Sequence, residues 1–471
     1  MAIISYDAPA VAVESETGPW WKLLTSYHWF VFFVASAAWF FDCLDQRIFS
    51  LARNPALSAL MKLSPADKAV QDYGKVVTAF FLIGWGCGGM IFGALGDKYG
   101  RAKMLTVTIL IYSLFTGLSF VSFTRFDFTL FRFMTGLGVG GVFGLAVAMI
   151  AETVPSGARA PALGLLQVLS TVGNVTAGFV VMGMQALETS HVLPGGPGGP
   201  WWGQSWRWMF LVGAVPALLV VFTGRFLREP EAWQRLRDSN QLPKGNIFAP
   251  YAELVRDRRW RHHLIVGALI ASTGVIGLWA IGEYAWDIQA AVFDKYFSAQ
   301  GMTPEQVKVH AGHAKLIAYL LNMLGAGVGM WLFTRIATAV GRKFAFFVGF
   351  ASALVITFFV YWKMETPAQA YWMMALMGAA QLSVFAGFAI YLPELFPART
   401  RSTGTSFCYN IGRFAAAAGS FFSAQLAVGV FGRFASPLPA RYSAMTMCAL
   451  FLIGLLTLPF APETKGKPLP E

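Results

Sequence analysis

Along the chain, long apolar runs alternate with short polar punctuation. Twelve such runs are centred near residues 39, 84, 114, 140, 172, 216, 274, 324, 354, 380, 415 and 451, most of them bounded by Gly, Pro or clustered charge. Each has about the twenty residues that an α-helix needs to cross roughly 30 Å of hydrocarbon. The pattern predicts an all-α membrane protein with twelve transmembrane helices. The longest internal polar stretch, about Arg228 to Arg261, separates the sixth and seventh runs, and Tyr251 to Arg261 within it reads as amphipathic. The expected organisation is an N-terminal segment over 1–28, a six-helix half over 29–227, a linker over 228–261, a second six-helix half over 262–461 and a tail over 462–471.

Composition narrows the class. Of 471 residues, 56% are hydrophobic and 13% charged, and a mean hydropathy of +0.55 excludes an ordinary soluble enzyme. A net charge of +12 would suggest nucleic acid in a soluble protein, but in a membrane protein the distribution of charge matters more. With the N-terminus placed inside, about 21 Lys and Arg outside the spans fall on the inner side and about 12 on the outer. Both termini are therefore expected in the cytoplasm, in a multi-pass protein of the cell inner (plasma) membrane, with the bilayer as partner and no nucleic acid. Residues 1–28 lack the features of a signal peptide, so this segment is expected to be retained. Cys43, Cys87, Cys408 and Cys448 lie in apolar runs without paired spacing. The histidines offer only His262-His263 and His310/His313. Neither a disulfide frame nor a metal site is indicated, and no cofactor motif or nucleophile–base constellation points to catalysis. Pro194 to Pro200, followed by Trp201-Trp202, reads as an outer loop with interfacial tryptophans.

The two sets of six repeat each other at an offset of about 241 residues. Glu152-x-x-Pro155-x-x-x-Arg159 returns as Glu394-x-x-Pro397-x-x-x-Arg401, and Gly100-Arg101 returns as Gly341-Arg342, although Thr338 stands where the first half has Asp97. The same offset carries Asp42 onto Glu283 and Asp45 nearly onto Asp287. Two pseudo-symmetric six-helix halves explain the pattern.

Charges inside the spans are the candidate chemistry. Asp42 and Asp45 share a face of the first span, and Arg47 reads as an anchor at its outer end. A carboxylate at membrane depth costs several kcal/mol on the milder scales and is kept where protein or a water-filled cavity receives it. Arg132 lies in span four. Arg413, near the midplane of span eleven and one turn after Tyr409-Asn410, suits a substrate carboxylate; a carboxylate of the second half is the alternative partner. Gln167 and Asn174, seven apart on span five, share a face that could bind substrate hydroxyls or join helices. Trp279, Gln381, Asn322 and Glu283 are further candidates for cavity walls. The runs Gly84 to Gly93 and Gly136 to Gly144 read as close helix packing.

Gly93-x-x-x-Asp97-Lys-x-Gly100-Arg101, on a short loop between spans two and three, resembles the signature of the major facilitator superfamily. Gly93 and Gly100 would permit a tight turn, and Asp97 can meet the positive end of a neighbouring helix or a local Arg. Arg132-x-x-x-Gly136-x-Gly138-x-Gly140 is similar to the family's intramembrane Arg motif, and Pro462-Glu463-Thr464-Lys465-Gly466 to the closing motif of its sugar porters. Asp42-x-x-Asp45 and Tyr391-Leu-Pro-Glu-Leu-Phe-Pro397 resemble the branch of proton symporters for aromatic acids and muconate.

The resemblance implies the major facilitator fold, with a substrate site between halves that rock to give alternating access. It also implies a gating set of Gly93, Asp97, Gly100, Arg101, Glu152, Arg159, Glu394 and Arg401. Span five lacks the Gly-Pro pair of the family's exporters, which favours import. Depth counting at 1.5 Å per residue puts Asp42 and Arg132 both at roughly 20 Å from the inner surface, so they could pair; the alternative is a static pair joining two helices. The expectation is proton-coupled uptake of a small organic anion by a monomer, with Asp42, Asp45 and Arg132 in coupling. Arg413, Asn410, Tyr409, Gln167, Asn174, Glu283, Trp279 and Gln381 are placed around the substrate. A proton-coupled sugar porter is the alternative, and a membrane sensor without transport is a further one.

Overall fold

The computed structural model describes residues 18–65, 67–190, 192–194, 200–434 and 438–471. Most of the N-terminal segment and residues 195–199 of the Gly/Pro loop lie outside the described residues. The first half comprises α1 (Ser26–Met61), α2 (Lys68–Tyr99), α3 (Arg101–Leu118), α4 (Arg125–Thr153), α5 (Ser156–Thr189), and a sixth span split into α6 (Ser205–Val212) and α7 (Ala217–Phe226). The linker carries α8 (Glu231–Asp238) and α9 (Ala249–Arg256). In the second half, α10 (Arg258–Ile276) and α11 (Tyr284–Ala299) form span seven, followed by α12 (Pro304–Ala339), α13 (Arg342–Lys363), α14 (Pro367–Tyr391) and α15 (Arg401–Gln425). Helices α16 (Leu438–Met447) and α17 (Phe451–Thr457) complete the last span. Among the described residues, eleven helical segments are long and apolar enough to cross a membrane by length and composition; α15 provides the remaining helix of the bundle.

Local chemistry sets the boundaries. Thr25, Thr124, Thr303 and Thr366 close capping boxes at the starts of α1, α4, α12 and α14. Pro216, which has no N–H to donate, stands at the break between α6 and α7. The predicted amphipathic piece Tyr251 to Arg261 is interrupted, because Asp257 leaves the helical conformation and caps α10 through Arg259 and Trp260. α1 is longer than the twenty or so residues a membrane crossing needs and continues through Pro55 to Met61. Span seven is broken by a π turn at Gly277–Ile281, the kind of local widening that recurs at functional sites.

Glycines let α2 and α4 touch backbone to backbone. A Cβ on Gly84 or Gly88 would collide with the carbonyls of Phe133 or Leu137, and one on Gly136 or Gly140 with those of Phe81 or Trp85. Loop 2–3, loop 8–9 and the linker lie on one side, termed here the linker side. Gly100 holds φ at 113°, a region favourable only to glycine, and so turns α2 directly into α3. Gly93 plays a different part from the turn predicted for it. It sits inside α2, where Ser402 and Ser406 of α15 press against the space a side chain would need.

Candidate functional site

A small cavity of about 60 Å³ lies between the halves, lined by Trp39 and Gln46 from α1, Trp85 from α2, Gln167, Ser170 and Asn174 from α5, and Trp279, Phe385, Tyr409 and Arg413 from the second half. That volume holds a few waters. A metabolite needs the halves to part. Arg413 is buried and stacked, its guanidinium carbon 3.7 Å from the Trp85 ring centroid and 4.5 Å from that of Tyr409. One Nη donates to the Tyr409 carbonyl at 3.0 Å, and Nε is buried without a hydrogen-bond partner. The indole Nε1 of Trp85 is likewise buried and unmatched. Buried polar groups are normally paired, and these two unmatched donors belong to residues that line the cavity. With its π faces covered and one Nη engaged, the in-plane Nε–H of Arg413 is left for an acceptor such as a carboxylate.

Asp42 approaches this wall from α1. Its Oδ1 accepts from Gln46 Nε2 at 2.9 Å, its Oδ2 has no partner, and its charge lies within electrostatic reach of Arg413. The pairing of Asp42 with Arg132 expected from depth is corrected. Arg132 meets Asp45, Nη1 to Oδ2 at 3.5 Å, while Thr116 donates to Asp45 Oδ1 at 2.9 Å and Ser119 accepts from Arg132 at 2.8 Å. Both charges are fully buried among α1, α3 and α4, inside the first half. Asp45 therefore faces Arg132 and Thr116 within the first half and is not among the residues that line the cavity.

Of the residues placed around the substrate by sequence, the structure brings together Tyr409, Arg413, Gln167, Asn174 and Trp279. The amide of Gln167 is already engaged, accepting from Trp39 Nε1 at 2.7 Å and donating to the Phe385 carbonyl at 3.0 Å across the halves. Asn174 donates to the Ser170 carbonyl at 3.0 Å. Asn410 lies away from the cavity, donating to the Ser406 carbonyl and packing against Gly89 of α2. Gln381 is tied to Thr357 inside the second half, and Asn322 to the Met374 carbonyl. Glu283 is exposed beyond the π turn and is not part of the cavity wall. Sequence reading passed over Trp39, Gln46 and Trp85. The signal for Trp85 was a large ring between Gly84 and Gly86, in a segment otherwise built for close approach.

On the linker side the halves are locked. Asp97 accepts from the first backbone N–H groups of α15, Ser402 at 3.1 Å and Thr403 at 2.8 Å, and from the Thr403 hydroxyl at 2.6 Å. An acid of one half thus caps the positive end of a helix in the other. Arg101 pairs with Asp97 at 3.0 Å and with Glu152 at 3.2 Å, and donates to the Ala398 carbonyl. Glu152 also binds Arg401 at 2.9 Å. In the second half, Arg342 pairs with Glu394 at 2.8 Å; in the first, Arg159 donates to the Ala151 carbonyl at 2.8 Å. Glu229 caps α3 through Ala102 and Lys103, as Glu463 caps α13 through Arg342 and Lys343. Burial pushes the Glu229 carboxyl above its ordinary range. Burial acts the same way on Glu463, but backbone N–H donors outweigh it and hold the group below that range.

Comparison with known proteins agrees with this architecture. The chain is 29% identical over 457 residues to a Haemophilus influenzae protein assigned to metabolite transport, covering 95% of this chain and 99% of that one. It is 26% identical over 401 residues to the cis,cis-muconate transport protein of Acinetobacter baylyi, covering 83% and 86%. Among solved structures, the proton:xylose symporter XylE superposes with a TM-score of 0.69 at 19% identity, covering 94% of this chain and 98% of that chain, a likeness of fold alone. The family model of the Major Facilitator Superfamily matches residues 29–420. The chain is a multi-pass membrane transporter, not an enzyme, and belongs to the major facilitator superfamily.

Proposed function

We propose that this transporter couples proton movement to the uptake of a small organic anion, an aromatic acid or a dicarboxylate. The observation that carries the reading is Arg413, a buried cation clamped between Trp85 and Tyr409 with an unmatched Nε at a cavity between the halves. A substrate carboxylate completes the fork and draws the Arg413 charge away from Asp42. An acid deprived of its nearby cation in a buried site takes up a proton more readily. Substrate binding and protonation of Asp42 thus favour each other. Asp45 and Arg132 hold the first half together and leave Asp42 as the proton carrier. Sugar transport is less well supported, because the Gln167 and Asn174 amides already have partners within the protein. In this reading the linker side is cytoplasmic, and the protein works as a monomer in the cell inner membrane. The relative named for muconate transport points to the same substrate class.

The test is uptake into proteoliposomes of labelled benzoate, adipate and glucose under a pH gradient, acid outside. Accumulation of an acid, abolished by Arg413→Ala, is expected. Glucose accumulation indifferent to Arg413→Ala would remove the anion reading.

A further inference from the structure

The geometry of Arg413 is repeated beside the cavity, at the neighbour of Gln46 in its wall. Arg47 stands five residues beyond Asp42 on α1, about 7.5 Å of helix rise toward the side away from the linker. Its guanidinium carbon lies 4.3 Å from the ring centroid of Tyr319 on α12 and 5.8 Å from that of Trp286 on α11. A cation of the first half is thus held by aromatic faces of the second, and its Nε is buried without a hydrogen-bond partner. The Tyr319 hydroxyl donates to the Asn174 carbonyl at 3.1 Å, and Asn174 and Gln46, the neighbour of Arg47, line the cavity. Arg47 therefore adjoins a residue of the cavity wall and packs between the halves, where sequence suggested an interfacial anchor. The exposed carboxylate of Glu283 lies within electrostatic reach of Arg47 and of Arg53.

We propose that Arg47, clasped by Tyr319 and Trp286, is a second carboxylate-binding position, at the mouth of the cavity, where an incoming organic anion docks before it reaches Arg413. The inference rests on the anion reading above. The negative charge of Glu283 lies within electrostatic reach of this position. An arriving carboxylate takes the in-plane donors of Arg47 and competes with Glu283 for the same field. Because Arg47 and its aromatic clasp belong to different halves, a ligand here acts while the mouth is assembled and passes inward as the mouth opens.

The test is the concentration dependence of labelled adipate and benzoate uptake in proteoliposomes, with binding of the same two acids to purified protein read from tryptophan quenching. Arg47→Gln is expected to raise KM and the dissociation constant about tenfold or more for both acids, with the maximal rate within about twofold. Glu283→Gln, which removes the competing charge, is expected to tighten binding. Weakening by Glu283→Gln, or an Arg47→Gln effect confined to the maximal rate, would overturn the proposal by making the cluster a plain structural contact. If Arg47→Gln binds both acids like the wild type while Arg413→Ala does not, the mouth position fails and the anion reading stands. If the wild type binds and carries glucose but neither acid, both fail.

Discussion

Asp97→Asn tests how tightly the two halves are held on the linker side. The carboxylate receives two backbone N–H bonds and one hydroxyl from α15 and the Arg101 guanidinium from its own helix, all buried. Asparagine keeps the shape and one acceptor but loses the charge and turns an N–H₂ group toward donors. A hydrogen bond to a charged group contributes about 1.5–3 kcal/mol, and an anion at a helix N-terminus a further 0.3–1 kcal/mol or so. Arg101 keeps Glu152 and the Ala398 carbonyl, which limits the loss to about 3 kcal/mol. This interaction exists only while the halves are closed here, so the loss shifts the open–closed equilibrium by roughly 100-fold. Hydrogen exchange on protein in nanodiscs reads it directly. The amides of Ser402 and Thr403 should exchange about 100-fold faster in the variant, while a second-half interior segment such as 346–353 keeps its protection. Exchange at 402–403 within twofold of wild type would refute the claim that Asp97 is the clasp on α15.

Gly100→Ala places a side chain at φ 113° and against the Glu229 carboxylate, and should lower Tm by a loss of about 1–2 kcal/mol. Gly178→Ala, in helix α5 with open space around it, should leave Tm unchanged or slightly raised. Thermal unfolding followed by tryptophan fluorescence separates the two. Asp45→Asn strands the buried Arg132 and should cost about 3–5 kcal/mol, seen as a fall in Tm that pairing with Arg132→Met largely reverses. Glu463 is held below its ordinary value near 4.5, so its cap on α13 stabilises the protein above that pH and is lost as the pH falls through the lowered folded value. Wild type and Glu463→Gln should therefore differ in Tm at pH 7 and converge at the acid end; a gap independent of pH contradicts the assignment.

The helices were legible because length and apolarity register directly in sequence, and the linker-side lock because Gly-x-x-x-Asp and the repeated Glu-Pro-Arg spacing fix residues at helix ends. Depth along a helix was legible too, but only to about a turn. That is why Arg132 was assigned to Asp42 when it binds Asp45, one turn away. Rotation about the helix decides that choice, and rotation depends on the packing of α3 and α4. Arg47 was misjudged because α1 continues to Met61, so a residue taken for the membrane edge lies between the halves. Trp85 escaped notice because a tryptophan in a membrane helix ordinarily packs against lipid or core. Its part appears only once Arg413, more than three hundred residues later, lands on its ring. Glu229 had a faint signal, the Glu-Pro step after span six that echoes Pro462-Glu463 after span twelve.

The central claim, that substrate carboxylate on Arg413 and proton on Asp42 move together, is tested most directly by proton flux. In proteoliposomes loaded with a pH-sensitive dye and lacking any initial gradient, adding adipate outside should acidify the lumen of wild-type vesicles beyond protein-free controls. Asp42→Asn should abolish the acidification while retaining exchange of labelled for unlabelled adipate. Acidification that persists in Asp42→Asn, or that follows glucose and not adipate, would contradict the account.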